Sequence, residues 1–451
     1  MQELTAVMKK HLAWMQGVYQ NDEKIYQLYE NGLINTFQTT LNPKADGRTF
    51  VITGDIPAMW LRDSAAQMRN LLIFAGEDEV IHRQISGVVK QQVEQILTDP
   101  YANAFNDGAT GQRFMDDRTD MRPEVWERKY EVDSLCYPVQ LAYLLWKSSN
   151  QTGHFDAAFK KACCTIINVF KTEQMHANKS PYRFERDEDE EDRVIYETLP
   201  CDGMGNPVGF TGMTWSGFRP SDDACRYGYL IPSNMFAVVI LRYMSEIAGA
   251  IYNDRALEQK AADLANQIND GIQKYGIVEH EIYGLVYAYE VDGLGNYVLM
   301  DDANVPSLLA IPYFGYTTAD DPIYRNTRQL ILSKTNPWYY EGEVLKGIGS
   351  PHTPENYVWP IALAVQGMTS LEPSELEDIY QMFKVCDAGT NLMHEGVNVD
   401  DPESYTRPWF SWANAMFAEF ILSLNGIEIQ GSPLQIYHDE KQGKKPRHRE
   451  I

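Results

Sequence analysis

Helical periodicity runs along most of this chain in adjacent pairs, and strand signals are too few to make a sheet its organising element. Segments 2–20 and 22–38, 63–75 and 77–97, 131–149 and 155–177, and 233–252 and 254–275 each read as two successive helices. In the fourth of these, Val80, Ile81, Ile85, Val88, Val89, Val93, Ile96 and Leu97 keep one apolar stripe. Further helices are predicted over 304–311, 323–334, 356–369, 374–386 and 407–424. Segment 49–52 is strand-like, and 277–291 with 297–300, joined by Asp-Gly-Leu-Gly-Asn at 292–296, is predicted as a β-hairpin. That is not the alternation of a parallel α/β sheet. Paired helices in 451 residues leave an α-solenoid or a closed α/α toroid. No residue repeat of fixed period appears, which disfavours the solenoid. The expectation is an all-α toroid with a small β-hairpin, one domain over 1–451, ending in a polar tail from about 438.

Charge narrows the partners. Lys plus Arg number 39 and Asp plus Glu 63, a net charge of −24. Such a surface repels phosphate backbones and anionic lipid, so no nucleic-acid and no membrane partner is expected. Neutral substrates meet no such penalty. The 27 Tyr and 9 Trp suit sugar recognition, and equally suit a large core. The longest clear apolar run, 235–241, is far short of the ~20 residues of a membrane span. The first residues read as an amphipathic helix without the parts of a signal peptide, so a cytoplasmic location is the expectation. Cys136, Cys163, Cys164, Cys201, Cys225 and Cys386 are scattered, with no zinc-type spacing, and read as buried small hydrophobes.

The loops 99–130, 200–232, 336–355 and 387–409 are long and mix Trp, Tyr, Asp, Glu, Arg and His with Gly and Pro. Loops of that length carry function more often than they merely connect. Metal chemistry finds little support in them. Asp116-Asp-Arg-Thr-Asp120 matches DDxxD, but beside Arg113, Arg118 and Arg122 it reads as surface salt-bridging. The acidic run Asp187-Glu-Asp-Glu-Glu-Asp192 lacks the features of an EF-hand and reads as a solvated face. Neither His280-Glu281 nor His394-Glu395 continues to HExxH, and no GxxxxGK[ST] or GxSxG occurs. No metal and no cofactor is expected. What remains is carboxylates in aromatic, glycine-rich loops, the arrangement glycoside hydrolysis needs: one protonated carboxyl for the leaving group and one ionised carboxyl to activate water or attack.

Three longer strings are more specific. They are Gly54-Asp-Ile-Pro-Ala-Met-Trp-Leu-Arg-Asp-Ser64; Trp126-Glu-Arg-Lys-Tyr-Glu-Val-Asp-Ser-Leu-Cys-Tyr-Pro138 with Trp215-Ser-Gly-Phe-Arg-Pro-Ser-Asp-Asp-Ala-Cys225; and Met393-His-Glu-Gly-Val-Asn398 with Tyr405-Thr-Arg-Pro-Trp-Phe-Ser-Trp412. Together they resemble glycoside hydrolase family 125, the metal-independent exo-α-1,6-mannosidases. The resemblance implies an (α/α)6 toroid, inversion of anomeric configuration, a bacterial context, and an α-mannoside oligosaccharide substrate that loses single mannoses from its non-reducing end. It places the general acid on the Ser-Asp-Asp string, at Asp222 with Asp223 as the neighbouring alternative, and the general base at Glu395. By likeness to related toroid glycosidases, Arg62 and Asp63 would bind hydroxyls of the terminal sugar and Trp60 would form a wall.

An acid acting near neutral pH needs a pKa raised by burial or by a like charge. Asp222 beside Asp223, in a stretch holding Trp215, Phe218 and Tyr227, is expected to have both. Inversion calls for roughly 6.5–9.5 Å between the two carboxyls. Structural readings stand beside these roles. Ser-Asp-Asp before Ala-Cys-Arg is a good helix start, with Asp223 the better cap. Arg62 and Asp63 also read as an ion pair at a helix start. Asp133 is either the cap of a helix over 134–149 or a sugar contact, and His352 either a rigid-turn residue or a sugar contact. Asn304 and Arg407 are further candidate contacts, or structural; Trp359 and Trp412 fit core positions on helix faces. Two other functions stay open: a toroid hydrolase acting on α-glucosides, and a carbohydrate-binding protein without chemistry. Asp222 and Glu395 in one pocket would favour an enzyme.

Overall fold

The computed structural model describes residues 2–187 and 197–443. Its helices fall into two kinds, distinguished by how they are buried. In Val132–Ser149 every side chain from Val132 to Leu145 is buried, and all of Leu61–Ala66 and Pro360–Met368 is too. Ile231–Ala250 is buried continuously through Leu241, and Ser411–Leu424 through Leu422. A helix buried on all sides needs neighbours on all sides. The ring supplies them. Leu61–Ala66, Val132–Ser149, Ile231–Ala250 and the single turn Ile311–Phe314 touch in that order, Pro360–Met368 touches Ser411–Leu424, and Ser411–Leu424 closes back onto Leu61–Ala66.

The partner helices are amphipathic and pack outside this ring. Arg255–Tyr275 buries Leu257, Ala261, Leu264, Ala265, Ile268 and Ile272 against Ile231–Ala250. Glu23–Asn35 lies against Ser411–Leu424, Glu79–Thr98 against Val132–Ser149, and Pro373–Phe383 against Pro360–Met368. Asp22, Asp78, Asp156, Asp254 and Asp321 each cap an outer helix by accepting its first free N–H groups. The inner helices have no such side-chain cap. Short strands lead into their N-termini instead: Met59–Trp60 pairs with Ala104–Phe105, Tyr229–Leu230 with Glu290–Val291, and Tyr357–Val358 with Val397–Asn398. The long loops supply these strands, so loops and inner N-termini meet at one end of the toroid.

Several elements differ from the expected ones. The helix expected over 63–75 is an α-helix, Leu61–Ala66, followed by a 3-10 segment, Arg69–Phe74. Buried Arg69 opens the 3-10 segment and reaches Glu419 at 2.9 and 3.2 Å. Residues 304–310 form no helix, because buried Asp301 accepts the N–H groups of Leu308 and Leu309. Segment 277–291 is three short strands: Ile277–His280 pairs with Gly284–Tyr287, while the turn at 292–296 joins the third, Glu290–Val291, to Tyr297–Val298. The sequence reading also missed the helix Pro433–Lys441, although Ser432 as cap and Pro433 behind it are its usual signal. The expected polar tail therefore begins inside a helix, and 444–451, like 188–192 of the acidic run, lies outside the described residues. Cys164 and Cys201 are exposed, and the other four cysteines are buried.

Candidate active site

Where the inner N-termini meet the loops, the structure encloses a cavity of about 320 Å³. Trp60, Arg62, Asp63, Asp222, Asn304, His352, Glu395 and Arg407 all line it. These residues lie far apart in sequence, and the closed ring is what gathers them.

Arg62, in the first turn of Leu61–Ala66, is the electrostatic centre. Its guanidinium lies 2.6 Å from Glu131, 3.1 Å from Asp133, 3.5 Å from Asp222 and 3.8 Å from Asp63. Arg62 is thus ion-paired and also lines the cavity. Burial pushes the Asp63 carboxyl up to about 6; Arg62 and Arg407 pull against this and Asp222 adds to it. Asp133 corrects the sequence reading. It is fully buried, is absent from the cavity wall, and accepts from Arg62 and, at 3.3 Å, from Ser233. Its place behind Arg62 makes it a holder of that guanidinium rather than a sugar contact.

The Ser-Asp-Asp string does not start a helix. Asp222 N–H donates to the Arg219 carbonyl at 3.0 Å, Arg219 N–H donates to the Asp223 carbonyl at 2.7 Å, and Phe218 bridges to Ala224, so the chain turns back on itself. This turn puts Asp222 at φ +72°, a left-handed conformation uncommon for a residue with a Cβ and found preferentially at functional sites. Asp222 then faces the cavity. Asp223 is absent from its wall and takes His352 Nδ1 at 3.3 Å. That contact, with the charges of Glu395 and Asp222, outweighs burial and raises the imidazole to about 9.

The carboxyl that Asp222 meets is therefore Glu131, not Asp223. The Asn103 amide and the Arg62 guanidinium draw the two together: Asn103 Nδ2 lies 3.3 Å from Asp222 Oδ1 and 3.5 Å from Glu131 Oε1. Contrary to the expectation of a raised Asp222, burial is outweighed there by Lys129, Arg62 and the Glu131 contact, and the carboxyl lies below its ordinary range. Trp215 and Phe218, expected beside the acid, are buried in the main core.

Glu395 is set by its neighbours. His394 stacks on Tyr405 with ring centroids 3.9 Å apart, its Nδ1 lying 3.1 Å from the Arg407 carbonyl, and Gly396 N–H donates to Thr406 Oγ1 at 2.9 Å. Arg407 is clamped by Asp55, lies 4.3 Å above the Phe410 ring, and brings Nη1 to 3.5 Å from Glu395 Oε1. Asn304 turns a buried Nδ2 that has no hydrogen-bond partner among the described residues. Trp359 and Trp412 are core residues, as expected, and also line the cavity.

One side of the cavity was missed from sequence. Phe114, Glu127, Lys129, Arg186 and Glu197 line it, with Arg186 held by Glu127 at 2.8 Å and by Asp117 at 2.6 Å. The Asp117 pair is buried, so DDxxD contributes an interior ion pair instead of a surface one. A wall of paired charges leaves little sequence signal, because each member looks like a surface ion. Among the described residues no group of His, Cys, Asp or Glu side chains is arranged to hold a metal ion.

A closed α/α ring with carboxyls, a guanidinium pair and tryptophans around one loop-end cavity is the make-up of an α/α-toroid glycosidase. The fold is shared with a bacterial glucoamylase complexed with acarbose, at 13% identity and a TM-score of 0.56 over 91% of this chain and 57% of that one. The chain belongs to glycoside hydrolase family 125, the metal-independent α-mannosidases, whose sequence profile matches residues 22–422. It is similar to a Streptococcus pneumoniae member of a family of metal-independent α-mannosidases, solved in a non-productive complex with α-1,6-mannobiose. The two are 46% identical, with a TM-score of 0.92 over 95% of this chain and 100% of that one. It is also 40% identical to the Schizosaccharomyces pombe meiotically up-regulated gene 157 protein over 427 residues, covering 89% of this chain and 82% of that protein.

Proposed function

We propose that this chain is an inverting exo-α-1,6-mannosidase, with Asp222 as general acid and Glu395 as general base. The observation that carries this is the presence of both carboxyls on one cavity, with Arg62, Asp63, Asn304, His352 and Arg407 around them. That also favours an enzyme over a sugar-binding protein. Trp60, Trp359 and Trp412 give flat apolar faces against which a pyranose ring packs. The α-1,6 linkage is supported by the disaccharide held by the Streptococcus pneumoniae relative.

In this mechanism the terminal mannose sits among Asp63, Asn304 and Arg407, which hydrogen-bond its hydroxyls. Asp222 gives its proton to the glycosidic oxygen as the C1–O bond breaks. Glu395 takes a proton from the water whose oxygen forms the new bond to C1 from the opposite face. Arg407, fixed by Asp55 and Phe410, orients Glu395. A cytoplasmic setting belongs to the same proposal.

The test is hydrolysis of α-1,6-, α-1,2- and α-1,3-mannobiose with and without EDTA. The α-1,6 isomer should be cleaved fastest, with the same rate in chelator. Preference for another linkage, or loss of activity in EDTA restored by calcium or zinc, would overturn the reading.

A further inference from the structure

Four carboxyls, those of Asp63, Glu131, Asp133 and Asp222, crowd one guanidinium at Arg62. The other cations facing Asp222 are themselves engaged: Lys129 is 3.6 Å from Glu127 and 3.9 Å from Glu197, and the His352 imidazole is 3.3 Å from Asp223. Four buried carboxyls on the one Arg62 guanidinium leave an excess of negative charge, which a proton held on one of them relieves. The hydrogen bonds indicate where. Asp133 accepts from Arg62 and Ser233. Glu131 Oε2 accepts from Arg62 at 2.6 Å and from the Ser134 hydroxyl at 2.6 Å. That leaves Glu131 Oε1, which faces Asp222 beside the shared Asn103 amide. Two buried carboxyls gathered on one amide and one guanidinium are held together at least cost when one of them carries a proton.

We infer that Glu131 is the proton-holding positioning residue for Asp222: the buried pair shares one proton, which rests on Glu131 and passes to Asp222 when substrate binds. This rests on the reading of Asp222 as the general acid. Glu131 is fully buried and absent from the cavity wall, so it acts on substrate only through Asp222, whose side chain is 25% exposed. The groups facing Glu131 are Arg62, Asp133, Asp222 and the Cys225 thiol. Burial lifts its carboxyl well above the ordinary range; Arg62 opposes this, and Asp222 and Asp133 reinforce it. The proton balance closes. The Glu131 proton moves to Asp222, the Asp222 proton to the leaving oxygen, and the bond electrons go to that oxygen. Glu395 gains a proton from water and releases it to solvent, and Asp222, the exposed member, reloads the pair.

The experiment compares Glu131→Gln and Asp222→Ala on α-1,6-mannobiose and on an aryl mannoside whose leaving group needs no proton. Glutamine keeps the shape and donates to Asp222, but has no proton to pass on. Glu131→Gln should lose roughly 10²–10³-fold in kcat on mannobiose and far less on the aryl substrate. The mannobiose loss should shrink as pH falls, with the alkaline limb of kcat moved to lower pH. Equal losses on both substrates at every pH, or full activity on mannobiose, would overturn the inference. Leaving-group dependence at Asp222 but not at Glu131 would sink this inference alone; dependence at neither would sink the acid assignment with it. Should the Gln variant not fold, infrared difference spectra of the wild type against Asp222→Asn at pH 7 serve instead. Without a like charge opposite, Glu131 should ionise and one carboxylic-acid carbonyl band should vanish; an unchanged band would refute proton sharing.

Discussion

Arg62 shows how much of a residue's setting a local motif leaves out. Trp-Leu-Arg-Asp marked it as a sugar-gripping residue, and it does line the cavity, yet its Nη1 donates to Glu131 and Asp133. Spacing could not show this, because the partners lie some seventy positions away and meet it only after ring closure. At Asp222 and Asp223 a turn sends the two side chains to different places, Asp222 to the cavity and Asp223 to His352. No local pattern announces that turn, and the cap signal pointed elsewhere. His352 carries a prediction. Its imidazole is raised to about 9, above the ~6.5 of an unfolded histidine, so the folded state favours the cation. The resulting stabilisation is fully present below about pH 6.5 and is lost as pH rises through about 9. Melting temperatures measured from pH 6 to 9.5 should fall more steeply for wild type than for His352→Gln. Parallel curves would show that His352 and Asp223 do not interact as described.

Single helices were the most legible level. Outer helices carry both signals that local physics can write, an apolar stripe and an aspartate cap, and Glu79–Thr98, Ala157–Glu173 and Arg255–Tyr275 lie where periodicity placed them. Inner helices are buried all round, so periodicity fades and their ends shift. Pro360–Met368 and Ser411–Leu424 each begin about four residues later than expected, because the chain before them pairs at the mouth: Tyr357–Val358 with Val397–Asn398, and Phe410 with Gly54. Since caps belong to the outer ring and the site to the inner one, they should separate in function. Asp254 accepts the N–H groups of Ala256 and Leu257 at 3.1 and 3.0 Å. Asp254→Ala should cost about 1 kcal/mol of stability in denaturant melts and leave kcat/KM on mannobiose unchanged. A fall in kcat/KM at full folding would show that the outer ring tunes the site.

For the whole molecule, ring closure decides whether the site exists, since Arg62 and Glu395 come from opposite ends of the sequence. Beside the seam between Leu61–Ala66 and Ser411–Leu424, Arg69 pairs with Glu419, which also accepts from the Tyr313 hydroxyl at 2.9 Å. Glu419→Ala would leave the Arg69 charge buried and unpaired, and should destabilise the protein by roughly 3–5 kcal/mol. KM of the remaining folded enzyme should hold, because Glu419 is absent from the cavity wall. A small stability change with a raised KM would place the seam in substrate binding. A closed toroid was legible from paired helices without a repeat; which loops meet at its mouth was legible only through the motif strings.

The central claim is that Asp222 and Glu395 act across this cavity as acid and base in a single displacement. Its most direct measurement is ¹H NMR of α-1,6-mannobiose hydrolysis, read before mutarotation. The mannose first released should be the β-anomer, and Glu395→Gln should abolish its formation. Early α-mannose, or undiminished release by Glu395→Gln, would contradict the account.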